Sequence, residues 1–417
     1  MFSMIDGLIS RKTLIFQKRM SDLGEKLVGE KILTKVPAVR STCKTWEAIT
    51  KSWVMGKAAA APHEFLGFMM MNAKVYSLRY NIGEDLVDVK EVDLLNQLEI
   101  SEVYHCDGLV LCVAMDHSKL VVWNPYLYQT RWIGPRLGEN FNIRDIYSIG
   151  YSDKKRDHKI LRFVDDYSAP GPTHVFRSEI YEISSDSWRV LEAKPKPKWE
   201  IQIDEHQRGV SVKGNTYFFA HERYNNCADV KDFLLCFDFT KERFGPRLPL
   251  PFHSYNEDCV TLSNVRDEQL AVLFGDFASS FFEIWITLTV EPDYLSWNKF
   301  LRVETTALTL FRLDAFLGGS FFVDEENKVA VVFELDECLS TFTPHQNKAF
   351  VFGQAGYIHS VTLGQVTKIQ LLCPYSGEHI QAFLPPLVCS SSYRPSLVQV
   401  KQPLCTKGNA TCSMGNG

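Results

Sequence analysis

Four segments of this chain share one pattern at nearly constant spacing: an apolar strand, a polar turn, then a short strand carrying an aromatic. They are VVWNPYLYQTRWI (121–133), EIYEISSDSWRVL (179–191), LLCFDFTKERFGP (234–246) and EIWITLTVEPDYLSWNKFL (283–301). Their closing aromatics, Trp132, Trp188, Phe244 and Trp297, follow one another at 56, 56 and 53 residues. Each segment reads as a β-hairpin, and recurrence on this scale means a repeat architecture. A second set lies between the first: GVSVKGNTYFFA (209–220), TLSNVRDEQLAVLF (261–274) and GGSFFVDEENKVAVVF (318–333). These turn at Lys213-Gly214-Asn215, Asp267-Glu268 and Glu325-Glu326-Asn327. Two hairpins per period are four strands per period, the content of one β-propeller blade. Carried from Tyr76 to Val400, the period predicts a mainly β chain of about six blades.

Closure into a ring leaves only short strand edges unpaired, which an open sheet of this size could not do. The segments EFLGFMMMNAKVYSLRY (64–80) and KAFVFGQAGYIHSVTL (348–363) are expected to meet at the closure. Trp132, Trp188 and Trp297 are expected to pack between neighbouring blades rather than to stack on a ligand, each ring contributing about 1.5–3 kcal/mol on burial.

The region before His63 has a different texture. Leu23, Leu27, Val28, Ile32 and Val36 fall at helix-like intervals, Pro37 stops the run, and Trp46 and Ile49 begin a second short helical stretch. An Ala-rich run, Lys57 to Pro62, separates this region from the strands. The divisions read as an N-terminal extension at 1–20, a small helical module at 21–56, a β body at 63–400 and a tail at 401–417. The tail has no apolar periodicity and is expected to be disordered.

Composition narrows the partners. With 417 residues, 45% of them hydrophobic, the chain buries a sizeable core, and a formal charge of -5 offers no general attraction for nucleic acid or anionic lipid. Eleven cysteines without a CxxC pair form neither a disulfide framework nor a zinc ligand set, so a reducing compartment, cytoplasm or nucleus, is expected. The first twenty residues break every apolar run with Asp6, Arg11, Lys12 or Gln17 and lack a signal-peptide core, and no run is long enough to span a membrane. The sequon Asn409-Ala410-Thr411 is short enough to arise by chance.

No constellation carries chemistry. The glycine patterns of phosphate loops and the GxSxG elbow are absent. In HCDGLVLCVAMDH (105–117), His105, Cys106, Cys112 and His117 alternate along strands, which favours packing over metal ligation. Asp165-Asp166, Asp324-Glu325-Glu326 and Asp336-Glu337 read as turns, where Asp accepts from local backbone N–H groups. KPKPK (194–198) reads as an extended connector. No cofactor, metal or catalytic residue is expected, and the natural partner is another protein.

Several of these segments carry a resemblance. HCDGLVLC (105–112), VVWNPYLYQTRWI (121–133), HKILRF (158–163), EIYEISSDSWRVL (179–191), KGNTYFF (213–219), CFDFTKERFGPRLPLPF (236–252) and SLVQV (396–400) resemble the F-box-associated interaction domain, type 1, of plant F-box proteins. That domain is kelch-like, and the resemblance implies that it captures a protein. Such proteins carry an N-terminal F-box that docks onto the Skp adaptor of a Skp-cullin-F-box ubiquitin ligase, whose other subunits do the chemistry. MSDL (20–23), LVGEKILTKVPA (27–38) and RSTCKTW (40–46) are similar to an F-box. The resemblance assigns adaptor contact to Leu23, Leu27, Val28, Ile32, Leu33 and Pro37. This F-box is degenerate: Gly24 replaces the family's Pro, one extra residue precedes Ile32-Leu33, and about five residues are missing between Ala38 and Arg40, more than a helical turn.

Two functional classes follow from this, and a third stands further off. The first is a substrate receptor that presents a captured protein to the ligase. The second is a stand-alone interaction propeller that has lost its adaptor contact. A kelch-type enzyme is the third, without a nucleophile, base or ligand set to support it.

Overall fold

The chain was analysed as a computed structural model, which describes residues 64–400 apart from 82–85, 96, 137–139, 155, 167–174, 192–200, 204–207, 223–231, 255–257, 277–280, 306–319, 337–345, 373–378, 384–385 and 389–392. Runs rich in Val, Ile, Leu and Phe, cut every five to ten residues by Gly, Asn, Asp or Pro, satisfy their backbone groups by antiparallel pairing. Blade II comprises Ile100–Cys106, Leu109–Ala114, Leu120–Asn124 and Gln129–Ile133. Blade III follows with Ile146–Ser152, Asp157–Asp166, Val175–Glu182 and Ser187–Val190. Blade IV has Val210–Val212, Asn215–Glu222, Asp232–Asp238 and Arg243–Leu248, and Ile201–Ile203 extends its innermost position. Blade V has Cys259–Val265, Gln269–Asp276, Phe281–Glu291 and Tyr294–Glu304. Blade VI has Ser320–Asp324, Val329–Asp336, Gln346–Gly353 and Gly356–Gln365. The described residues form a six-bladed β-propeller.

Blade I closes the ring, and it does so with two distant parts of the chain. Glu64–Met71, Lys74–Asn81 and Leu86–Glu91 supply three strands, and Leu387–Val388 adds the innermost one by pairing Val388 with Met69. The strand that completes the early segment is therefore Leu387–Val388. The residues 348–363, expected to meet it, do so through side chains: Met69, Met71, Leu78 and Tyr80 of blade I share a core with Val331, Phe333, Ala349 and Val351 of blade VI. Strand pairing needs two free edges, and the inner edge of blade I is the one that blade VI leaves open.

The core is divided among the gaps between blades. One apolar cluster fills each gap: Trp123 and Phe68 between I and II, Tyr147 and Leu111 between II and III, Phe163 and Phe237 between III and IV. Leu234 and Val272 lie between IV and V, Phe282 and Phe350 between V and VI, and Phe322 and Tyr80 between VI and I. Alternate residues of the inner strands face opposite neighbours, so both faces of strands such as Leu109–Ala114 and Leu120–Asn124 are buried and the alternation reads as nearly continuous apolar runs. The recurrent aromatics take this role on the fourth strands. Trp188 packs on Phe141 and donates Nε1–H to Gly134 O of blade II at 2.8 Å, and Trp297 donates to Pro249 O at 2.9 Å. Phe244 sits against Phe163 of blade III, centroids 5.5 Å apart. Trp132 departs from the pattern: it is 40% exposed, with the Lys119 ammonium 5.3 Å from its ring.

Candidate protein-interaction faces

The antiparallel order sorts the connections by face. Turns from first to second and from third to fourth strands are short in blades II to VI, as at Asp107-Gly108, Lys213-Gly214 and 292–293. They lie together on one face of the ring. The connections between blades are longer, and their described parts, such as 92–95, 140–145, 249–254 and 366–368, lie on the other. Glu64 starts the second strand of blade I, and second strands rise from the tight-turn face. Glu64, the first described residue, therefore lies on the face opposite the long connections.

On the tight-turn face the centre is tied shut by polar contacts. His105, near the end of the innermost strand of blade II, places Nδ1 3.7 Å from Asp267 Oδ1 in the turn of blade V, three blades away. Lys213 N donates to Asp267 O at 3.2 Å, and Arg394 reaches to 3.6 Å from Glu268. Asp107 holds Arg156 at 3.1 Å and lies 3.2 Å from His158, joining blades II and III. Arg266 meets Glu326 at 2.6 Å between V and VI. Burial holds the His105 imidazole below its ordinary pKa, against the pull of Asp267 and Asp107. Burial also raises the Asp267 carboxyl, opposed by His105 and Arg394.

The segment Tyr393 to Val400 completes this face. Gly108, at φ +75, lies so close to the strap that a Cβ there would stand 2.3 Å from Arg394 O. Asn124, fully buried, donates from Nδ2 to Ser396 O at 3.0 Å and to Val398 O at 2.8 Å. Its Oδ1 accepts from Tyr126 N and Leu127 N, so one side chain shapes the turn and holds the strap. Val400, fully buried, ends the strap in the core between blades II and III.

Toward the other face, a second polar group sits between blades II and III. Arg162 donates from Nε to Asp145 Oδ2 at 2.9 Å, from Nη1 to Glu179 Oε2 at 3.1 Å and from Nη2 to Asn140 O at 2.6 Å. Asp145 Oδ2 also accepts from Asn142 N at 2.6 Å and Tyr147 OH at 3.2 Å. Tyr104 OH donates to Glu102, whose carboxyl is pushed up by burial. Arg208 crosses from blade IV to donate to Val103 O of blade II at 3.1 Å. These groups answer one another, and fix the first long connection of blade III rather than present a nucleophile beside a base.

The residues singled out in the sequence fall as follows. Leu23, Leu27, Val28, Ile32, Leu33 and Pro37 lie outside the described residues, as do the KPKPK connector and the tail at 401–417. Cys106 packs between blades II and III and Cys112 between I and II, on opposite sides of one sheet. Asp324 Oδ1 accepts from Glu326 N and Asn327 N, the turn role expected of it, whereas Asp165, Asp166 and Asp336, also expected in turns, end strands and pair with Phe176, Val175 and Gln346. The strap was visible only as the SLVQV motif. Its anchors Asn124 and Gly108 carry no local signal, because their partners are more than 270 residues away.

Residues 66–400 match the F-box associated beta propeller domain. The chain belongs to that family. Its relatives in Arabidopsis thaliana include an F-box/kelch-repeat protein 52% identical over 405 residues, covering 90% of this chain and 91% of the relative. A second F-box/kelch-repeat protein is 47% identical over 395 residues, covering 91% of this chain and 95% of the relative. The match spans all six blades and the strap. No helix among its described residues is long and apolar enough to cross a membrane.

Proposed function

We propose that this chain is the substrate-recognition component of a Skp-cullin-F-box ubiquitin ligase, capturing a target protein with its propeller. The observation that carries the reading is the separation of the two faces. The chain that carries residues 21–56 enters the propeller at Glu64 on the tight-turn face, and the long connections that suit target capture leave from the other. A captured protein and a bound adaptor would then not obstruct each other. The relatives are named F-box/kelch-repeat proteins, which supports an F-box role; the reading takes a Skp adaptor and a cullin scaffold as partners and the cytoplasm or nucleus as the place of action. In this reading Leu23, Leu27, Val28, Ile32, Leu33 and Pro37 meet the adaptor, and the propeller needs no cofactor and performs no catalysis.

Co-purification of the full chain with a Skp adaptor tests this. Capture by the native chain, and its loss on Leu27→Asp with an unchanged thermal transition of the propeller, is the expected result. Absence of capture by the native chain would favour the second reading, a stand-alone interaction propeller. The residues missing between Ala38 and Arg40 motivate that alternative.

A further inference from the structure

Blade V differs from its neighbours in one respect. Its third and fourth strands, Phe281–Glu291 and Tyr294–Glu304, each run to 11 residues. The second strand ends its pairing with the third at Ile286, so the tip from Leu288 to Ser296 projects beyond the tight-turn face. One side of this tip is covered: Val290 and Leu295 are buried against blade IV, and Pro292 O stands 2.7 Å from where a Cβ on Gly245 would be. The opposite side is bare. Tyr294 alternates with Leu295, so it lies on the side of the tip away from that cluster, and is 59% exposed, and Leu288 at the bulge is 70% exposed.

Blade VI answers with apolar groups of its own. Tyr357 pairs across its strands with Phe352, which packs toward blade V, and remains 41% exposed. Ile358 beside it touches the Gly353 and Val329 side facing blade I and is 52% exposed. Lys328 lies over Phe300 at 5.8 Å, at the base of the gap between the two blades. Leu288, Tyr294, Tyr357 and Ile358 thus gather exposed apolar surface at the tips of two neighbouring blades, a track on the tight-turn face. Apolar surface gathered this way marks a contact site.

We propose that this track seats the chain's own residues 21–56, holding their apolar stripe against the propeller in competition with the adaptor. Three observations choose this occupant. Glu64 enters the propeller on the same face, in the blade next to blade VI. The connector 57–63 spans at most about 24 Å when extended, against sheets that pack about 10 Å apart, so the module reaches the track. The other terminal segment, 401–417, follows Val400, which is buried between blades II and III on the far side of the ring. Residues Leu23, Leu27, Val28, Ile32 and Val36 supply the matching apolar spacing.

Hydrogen–deuterium exchange on the full chain tests the proposal without any adaptor present. Amides of 21–56 are expected to be protected in the native chain and to exchange at least about tenfold faster in Tyr294→Asp/Tyr357→Asp. The control Leu94→Asp, an exposed apolar residue on the opposite face, leaves that protection unchanged. The thermal transition of the propeller reports whether the double variant still folds, and Leu288→Ser serves as a milder substitution at the same track. Equal exchange in native and variant chains overturns the proposal, as does protection that grows with protein concentration, which would assign the track to a second copy. Since the measurement reads docking in cis, its failure is separate from a failure of adaptor capture.

Discussion

His105 and Asp267 face each other across the centre of the ring, imidazole Nδ1 3.7 Å from carboxylate Oδ1, although they belong to opposite blades. Gly108 N donates to His105 Nε2 at 3.2 Å, so Nε2 is the bare nitrogen and Nδ1 carries the proton toward Asp267. A second proton on Nε2 would confront the Gly108 N–H. This agrees with the depressed pKa of His105, for which burial is the main cause.

The sign of the resulting pH effect follows. A histidine whose folded pKa lies below its unfolded value contributes stability that is present above the unfolded pKa, about 6.5, and is lost as pH falls through the folded one. His105→Gln is expected to lose less stability than the native chain between pH 7 and pH 5. Urea unfolding at both pH values measures it, and an equal loss in the two chains would remove His105 from the account.

Asp232 behaves in the opposite sense. Burial, helped by Asp258, pushes its carboxyl up to about 7, and Ser254 OH donates to it. A raised carboxyl contributes stability below the unfolded pKa that disappears as pH rises through about 7. Asp232→Asn, which keeps an acceptor for Ser254, is expected to raise the thermal midpoint at pH 8 more than at pH 5. A pH-independent shift would contradict this.

Asn124 is fully buried and uses both side-chain atoms, in four hydrogen bonds. Asn124→Ala strands two backbone acceptors and two donors, so a loss of about 2–4 kcal/mol is expected. Limited proteolysis should also cut faster near Ser396, because the strap loses its anchor. Asn124→Asp retains the turn contacts while replacing the donor, and should release the strap with less damage to the turn.

Gly108→Ala is expected to cost at least about 1–3 kcal/mol, since a Cβ meets Arg394 O at 2.3 Å and φ is +75. Gly134→Ala, where nothing lies within 4 Å, is the matched control and should be close to neutral. Chemical denaturation of both variants distinguishes the close approach and positive φ of Gly108 together from the general effect of removing a glycine.

Much of this molecule was open to reading in its sequence. The regular spacing of Trp132, Trp188, Phe244 and Trp297 gave four strands per blade because hairpin signals are local, set by turn residues and by alternation within a few positions. Turn roles such as that of Asp324 were legible for the same reason. Other features were decided only in three dimensions. Closure through Leu387–Val388, the pairing of His105 with Asp267 and the hold of Asn124 on the strap all join residues far apart along the chain. A strand's own residues state that it has two faces. Which neighbour covers each face is fixed only when the ring closes.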